Sequence, residues 1–342
     1  MTAATTALHD VIVVGGGVAG ATLNLMTARA GLDTLLLDEG LTHASGASSV
    51  PAALLNAHRG RSGRASAADL AGLADFWDLT RDLEALGFAT GAFTSGVIRI
   101  ADNPKQARAW QRVAAGTWLE PNDVPAAYHA PFGALLLAKG GWVAPSKLLA
   151  ALEAAAKGYG GATRRGVRVD SLVEEASFVT VATSAGQLRA RRVVLCLGAA
   201  RPPHIRLPQL ETIWGEALVL TGAVTAPYPV AGAVVAAFDN GTVYVSGGHS
   251  SSEPPERQGA AALGGNRHPL QRALAWQVPA VDDATAFRHW QGARAKRRSG
   301  EPVARRLTKG TYYFGALGGR GFLRAATLAT ALAARLHEEL TR

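Results

Sequence analysis

The chain has one cysteine, Cys196, and two methionines in 342 residues. A single thiol excludes a disulfide framework and any zinc site built on cysteines, and it suits a reducing compartment. Carboxylates are also in short supply. Asp and Glu number 26 against 35 Lys and Arg, a net charge of +9, which favours anionic partners and has no bearing on fold. The most apolar stretch, Val11 to Leu23, is interrupted by glycines and too short for a bilayer core of about 30 Å. Met1 to His9 holds neither Lys nor Arg, so the basic region of a secretory signal is missing and a soluble cytoplasmic protein is expected. No His-x-x-x-His or comparable His/carboxylate spacing is present, so no metal is expected. What abounds is apolar: 48% hydrophobic against 18% charged residues, enough for a large core and too much for a disordered chain. At this length two domains or one large α/β unit are expected.

The first forty residues read as strand, glycine turn, helix and strand. Val11-Ile12-Val13-Val14 is the continuous β-branched run of a parallel strand buried on both faces. Ala19, Leu23, Met26 and Ala30 follow at helical spacing, with Gly31 placed to stop the helix, and Thr34-Leu35-Leu36-Leu37 is the second strand. Gly15-Gly16-Gly17-Val18-Ala19-Gly20 between them fits G-x-G-x-x-G in the context that makes that motif informative. Gly15 allows the tight turn and Gly17 a close approach of pyrophosphate to the backbone, on which Val18 and Ala19 open the helix. Gly20 allows helix to pack on strand. The helix N-terminus supplies partial positive charge to the phosphates. Asp38, 18 residues beyond Gly20, is placed to accept from ribose hydroxyls, with Glu39 the adjacent alternative. This much predicts a dinucleotide site and does not separate FAD from NAD.

Further along, helical patterning is expected within 65–120, with Val97–Ile100 a short strand inside it. A helix is expected from Pro145, and strands at Val167–Val169, Val179–Val181 and Val193–Leu197. Asn240-Gly241 predicts a hairpin turn between Val234–Phe238 and Val243–Ser246. Ala325–Leu340 reads as one helix. Nucleotide-fold segments thus open, centre and close the chain. The expected class is α/β with an α+β substrate part: a Rossmann-like dinucleotide-binding domain over 1–60, 135–212 and 291–342, which the resemblance below makes an FAD-binding domain, and an interleaved mixed or antiparallel substrate domain over 61–134 and 213–290.

With the glycine loop, five later motifs occur in an order that resembles the D-amino-acid-oxidase-like FAD-dependent oxidoreductases. That group includes glycine and sarcosine oxidases, D-amino-acid oxidases and the FAD domain of the bifunctional tRNA wobble-uridine modification enzyme. His43–Ser49 is similar to the loop that passes the flavin, through Ser45, Gly46 and Ala47. Gly140–Pro145 resembles the lead into the family's middle helix, and Val193–Ala199, with Gly198, its strand under the cofactor. Trp290-Gln291-Gly292-Ala293-Arg294 resembles W-x-G-x-R, and Ala316–Phe322 the closing flavin loop of Gly318, Gly319, Arg320, Gly321 and Phe322. Val169 falls where the family's backbone commonly contacts adenine. The resemblance implies non-covalent FAD and oxidation of a small amine or amino acid at its C–N bond, by hydride transfer to flavin N5 and hydrolysis of the imine. Oxygen or another acceptor would take the electrons. It also implies Arg294 as the carboxylate anchor, since a guanidinium fork binds carboxylate in a bidentate way. Cys196, mid-strand among apolar neighbours, is expected to be an inert buried thiol.

The substrate side departs from the family. Ser299 stands where an Asp is usual before Pro302, Arg305 replaces a glycine, and Ala200 occupies a position often held by Trp. The strand before Asn240 lacks a substrate-binding Tyr, while Tyr244 lies on the other arm of that hairpin. Two basic segments, His58–Arg64 and Arg288–Lys309 with eight Lys/Arg and one carboxylate, Glu301, are expected to flank a cleft or to be solvated loops. Two alternatives therefore stay open: a flavin enzyme acting on a modified tRNA wobble-uridine side chain, and a non-catalytic FAD- or NAD-binding scaffold. His249 is a further residue near the expected cleft.

Overall fold

A computed structural model describes residues 7–42, 46–222, 224–232, 234–251 and 268–342, without the side chains of His249 and Phe287. The fold is mixed α/β. β1 (Leu8–Val14), α1 (Val18–Arg29) and β2 (Thr34–Asp38) form the expected βαβ unit, with β1 and β2 parallel in the register Val11↔Thr34 to Val14↔Leu37. Gly31 stands just past the helix at φ +81°, the left-handed conformation that ends it. β1 also pairs in parallel with Gly186–Leu195, which pairs in parallel with Thr311–Gly315, and β2 pairs with Ala162–Arg165. Val169–Glu174, Val179–Thr183 and Val303–Arg306 complete this eight-stranded sheet with antiparallel pairings.

Alternation along β1 divides the core. Val11 and Val13, with Leu36, Val194, Tyr312 and Phe314, face a helical layer. Ile12 and Val14, with Leu35, Leu37, Val193 and Leu195, face a second cluster that includes Val169, Val179 and Val181. The helical layer consists of α1, α2 (Ala67–Ala85), α4 (Pro145–Gly158) and α6 (Gly321–Thr341); the short α3 (Pro104–Trp110) lies apart from it. α6 sets Phe322, Ala325, Ala329, Leu332, Leu336 and Leu340 inward at helical spacing.

The second sheet also has eight strands, in the order Thr285–Lys296, Glu211–Thr221, Thr242–Ser250, Val235–Asp239, Val230–Ala231, Val97–Ile100, Ala134–Leu137 and Thr117–Leu119. One of its faces packs on α5 (Pro269–Ala275) and the turn after it, through Leu218, Leu220, Val243, Val245, Leu274, Val278 and Val281. Asn240 at φ +42° and Gly241 at φ +78° make the predicted hairpin turn.

Two strand bounds are corrected. Val167 and Arg168 precede their strand, which starts at Val169 because the Val167 N–H donates to the Asp38 carbonyl instead of to a ladder. The central strand stops at Leu195, since Gly198 at φ +57° turns the chain away. The division expected at 135 falls inside Ala134–Leu137, and those expected at 212/213 and 290/291 fall inside unbroken strands of the second sheet. α2, expected in the substrate part, packs on α6.

Candidate cofactor and active site

A cavity of about 1340 Å³ runs between the two large sheets, wider than the roughly 300–1,000 Å³ of a pocket for a drug-sized ligand. At one end is the glycine loop. Gly15 has φ +107°, open only to glycine, and a Cβ there would stand 2.5 Å from the Cys196 carbonyl oxygen. A Cβ on Gly20 would run into the Gly15 carbonyl and stand 3.3 Å from Cys196 Cβ, so Gly20 sets the helix-to-strand distance and does not line the cavity. Gly17 is the N-cap residue of α1 and offers no side-chain cap; Ser48 Oγ accepts from the Val18 N–H at 3.0 Å. The first turn of α1 therefore opens its amides to the cavity, where Gly15, Gly17, Val18 and Ala19 line the wall.

Asp38 is 5% exposed, and its carboxylate accepts from the Gly16 N–H and, at 2.6 Å, from the Gly40 N–H. A carboxylate has about four lone-pair sites, so these bonds leave acceptor capacity on the cavity side. Asp38 and Glu39 both line the wall, as do Gly46, Ala47, Val169 and Gly198. Ser45 lies outside the described residues. Cys196 is buried under the loop, and burial pushes its thiol far above the ordinary range, in keeping with an inert thiol.

The closing loop meets the glycine loop from the opposite side. Ala316 and Gly318 have φ +56° each, and α6 begins at Gly321 with no side-chain cap, so a second open helix N-terminus faces the cavity with Gly318, Gly319, Gly321 and Phe322 in the wall. Arg320 departs from expectation. Its side chain turns from the cavity to ion pairs with Asp69 at 3.3 Å and Glu301 at 3.6 Å, and it donates to the Gly300 carbonyl. Asp69, buried at the start of α2, draws Arg324 as well, at 3.1 Å. That carboxylate needs cationic partners once out of water.

The W-x-G-x-R segment lies on Thr285–Lys296, where alternation turns Trp290, Gly292 and Arg294 to the cavity side. Trp290 Nε1 donates to Ser49 Oγ at 2.8 Å, tying the second sheet to the loop after β2. Gly292 is needed because its Cβ would collide with the indole of Trp290. Its cross-strand partner Gly215 serves Arg294 in the same way: a Cβ there would lie 2.8 Å from Arg294 Nη2. Arg294 donates to the Gly248 carbonyl at 3.3 Å and has no carboxylate within ion-pair distance among the described residues. Burial lowers its pKa below the ordinary guanidinium value.

Sequence reasoning took His58–Arg64 for a cleft flank or a solvated loop, and the structure shows it strapped down. Arg99, buried in the second sheet, donates to the carbonyls of His58 at 2.9 Å and Gly60 at 2.6 Å and stacks over Trp110 at 4.3 Å; burial brings its pKa down to about 10. Trp110 Nε1 donates to the Arg61 carbonyl and His58 Nδ1 meets the Gly63 carbonyl. The strap presents Arg59, whose Nη1 donates to the Gly319 carbonyl at 3.0 Å. Arg59 Nη2 and Arg294 Nη1 stand 3.0 and 3.3 Å from the point a Cβ on Gly319 would occupy. Burial, then the neighbouring charge of Arg320, lowers the Arg59 pKa, with Arg294 adding to the effect. No local signal marked Arg99, and the His43–Ser49 match did not single out Ser48.

Among the described residues no helix is long and apolar enough to cross a membrane. The tRNA 5-methylaminomethyl-2-thiouridine biosynthesis bifunctional protein MnmC of Maricaulis maris (strain MCS10) is 30% identical over 328 residues, covering 95% of this chain and 52% of that protein. MnmC of Polaromonas naphthalenivorans (strain CJ2) is 25% identical, covering 96% and 56%. The chain thus spans about half the length of these curated relatives. Glycine oxidase from Geobacillus kaustophilus superposes with a TM-score of 0.82 at 24% identity, covering 98% of this chain and 95% of that one. Iminodiacetate oxidase from Chelativorans sp. BNC1 gives 0.78 at 19%, covering 95% and 94%; both likenesses concern the fold. A family model described as FAD dependent oxidoreductase matches residues 10–335, which takes in every segment of the cavity wall. The chain belongs to the FAD-dependent oxidoreductase family.

Proposed function

We propose that the chain binds FAD non-covalently and oxidises a small amine or amino acid at a C–N bond, with Arg294 holding the substrate carboxylate. The cradle fits the cofactor: Gly15 and Gly17 are held as bare backbone against the Cys196 carbonyl and Ser48 Oγ, and two helix N-termini whose N-cap residues give no side-chain cap face the cavity with Asp38 and Glu39 beside them. When bound, FAD supplies the hydride acceptor for a C–H next to nitrogen. The chain positions the substrate and excludes water. One observation carries the substrate assignment: the cavity that starts at the glycine loop also reaches Arg294, a desolvated guanidinium without a carboxylate partner among the described residues. An entering carboxylate loses water and finds a bidentate donor there.

Ala316–Phe322 aims open backbone donors at the same cavity, a preorganised positive end suited to charge that accumulates on reduction. The cofactor is assigned to the part built on the first sheet, and the substrate to the gap between it and the second. The test is anaerobic bleaching of the purified yellow protein by glycine, sarcosine, D-amino acids and other small amines. Bleaching by one of them supports the assignment. Colourless protein that binds NAD and cannot be reconstituted with FAD sinks it.

A second reading, action on a modified uridine side chain in tRNA, is favoured by the MnmC relatives and by the approach of the two basic segments to one another at Arg59 and Arg294. Its first requirement is tRNA binding that falls steeply with salt, because each neutralised phosphate releases counterions. A flat response, or no binding in dilute buffer, removes it.

A further inference from the structure

We propose that Glu216, His268 and His289 form a site for one divalent transition ion, zinc foremost, on the face of the second sheet that packs on α5. The three residues are 52 and 21 positions apart in sequence, and no short motif marks them. The fold brings one ligand atom of each within 4.8 Å of the others. Glu216 and His289 lie on paired strands, in the register Glu216↔Gln291 and Leu218↔His289. Alternation puts both on the face opposite Trp290 and Arg294. His268 is the N-cap residue of α5, which crosses that face.

Both imidazoles aim Nε2 at the same carboxylate oxygen. Glu216 Oε2 is 3.2 Å from His289 Nε2 and 3.4 Å from His268 Nε2. Tetrahedral zinc with bonds of about 2.0–2.1 Å sets its ligand atoms about 3.3–3.4 Å apart, so two edges of the tetrahedron already stand at their required length. The rings are 5.4 Å apart at 47°, tilted and not stacked, which leaves both nitrogens facing the common point. All three side chains are mostly shielded from water. Two nitrogens and one oxygen without sulfur suit zinc and its first-row neighbours and disfavour magnesium or calcium. The fourth position is left to water.

Loading has a definite effect on His268. Its Nδ1 accepts from the Leu270 N–H at 3.2 Å, so its own proton sits on Nε2, toward Glu216. Ligation through Nε2 requires the proton on Nδ1 and gives up that helix cap. The ion then links the start of α5 to two strands, one of which carries Arg294.

The test uses untagged holoprotein, stripped with a chelator and dialysed against zinc, with bound metal and FAD measured together. One zinc per chain is expected, with affinity falling by roughly a hundredfold or more in Glu216→Gln, His289→Ala and His268→Ser while FAD content is unchanged. Serine retains the capping role at 268, so that variant removes the imidazole alone. In the wild-type chain, hydrogen exchange at the Leu270 amide should quicken on zinc addition. This readout remains decisive if a variant fails to fold. Less than one zinc per wild-type chain, variants that bind as the wild type does, or unchanged exchange at Leu270 would overturn the site and leave a hydrogen-bonded triad.

Discussion

Arg294 is held by space as much as by bonds. Among the described residues its backbone acceptor is the Gly248 carbonyl, 3.3 Å away, and a Cβ on Gly215 would crowd Nη2 at 2.8 Å. Arg294→Ala should abolish or greatly raise KM for amino acids while FAD content and the flavin spectrum stay as they were. A carboxylate left unpaired out of water costs about 3–5 kcal/mol, more than a hundredfold in kcat/KM. Lys should rescue only in part, because a point charge does not reproduce the planar fork. An amine without a carboxylate is the control, and equal loss on both substrate types would move the anchor elsewhere, Arg59 being the nearest guanidinium. Gly215→Ala makes a sharper comparison. It keeps every charge and displaces Arg294 alone, so carboxylate-bearing substrates should lose turnover and the flavin should not be released. Wild-type kinetics in Gly215→Ala would show that the guanidinium has room to spare.

At the scale of elements, legibility followed distance along the chain. The βαβ unit, the Asn240-Gly241 hairpin and α6 were readable because each depends on periodicity or turn chemistry within about twenty residues. The cavity wall was readable where a motif is contiguous, as in Gly15–Ala19 and in Gly318, Gly319, Gly321 and Phe322. Arg99 was not: its significance lies in carbonyls some forty positions earlier, at His58 and Gly60. The role of Gly215 needs its cross-strand neighbour and Arg294, and the pairing of Arg320 with Asp69 spans 251 residues. The Arg99 strap leads to its own test. Arg99→Met keeps the stem and removes the donors, so the carbonyls of buried His58 and exposed Gly60 lose a charged partner, at about 1.5–3 kcal/mol for such a bond. Limited proteolysis should then cut within Gly60–Arg64, and the activity ascribed to the cleft should fall with FAD still bound. Protection equal to wild type would mean that the bonds from Trp110 Nε1 to the Arg61 carbonyl and from Asn56 Nδ2 to the His58 carbonyl suffice.

At the scale of the molecule, the cofactor should act as a structural member, because its proposed site draws on segments as far apart in the chain as Gly15, Gly198 and Gly321. Thermal midpoints should rise with free FAD, by about 2.7 kcal/mol of added stability at a hundredfold excess over Kd. Asp38→Ala should blunt the rise, since it frees the Gly16 and Gly40 amides as well as any bond to the ribose. A midpoint indifferent to FAD would separate folding from binding altogether.

The insertion of Thr311–Gly315 beside Gly186–Leu195, with α6 against α1, also bears on how the protein is made. The N-terminal βαβ unit leaves the ribosome early, yet the residues that complete its sheet and cavity extend to Phe322. At about 5–20 residues per second, synthesis from Gly15 to Phe322 occupies roughly 15–60 s. Throughout that interval the helical layer over Val11 and Val13 lacks α6, and the cradle is incomplete. Stalling translation before Thr311 should therefore yield nascent chains that capture chaperones and no flavin, with capture of flavin beginning only once α6 has emerged.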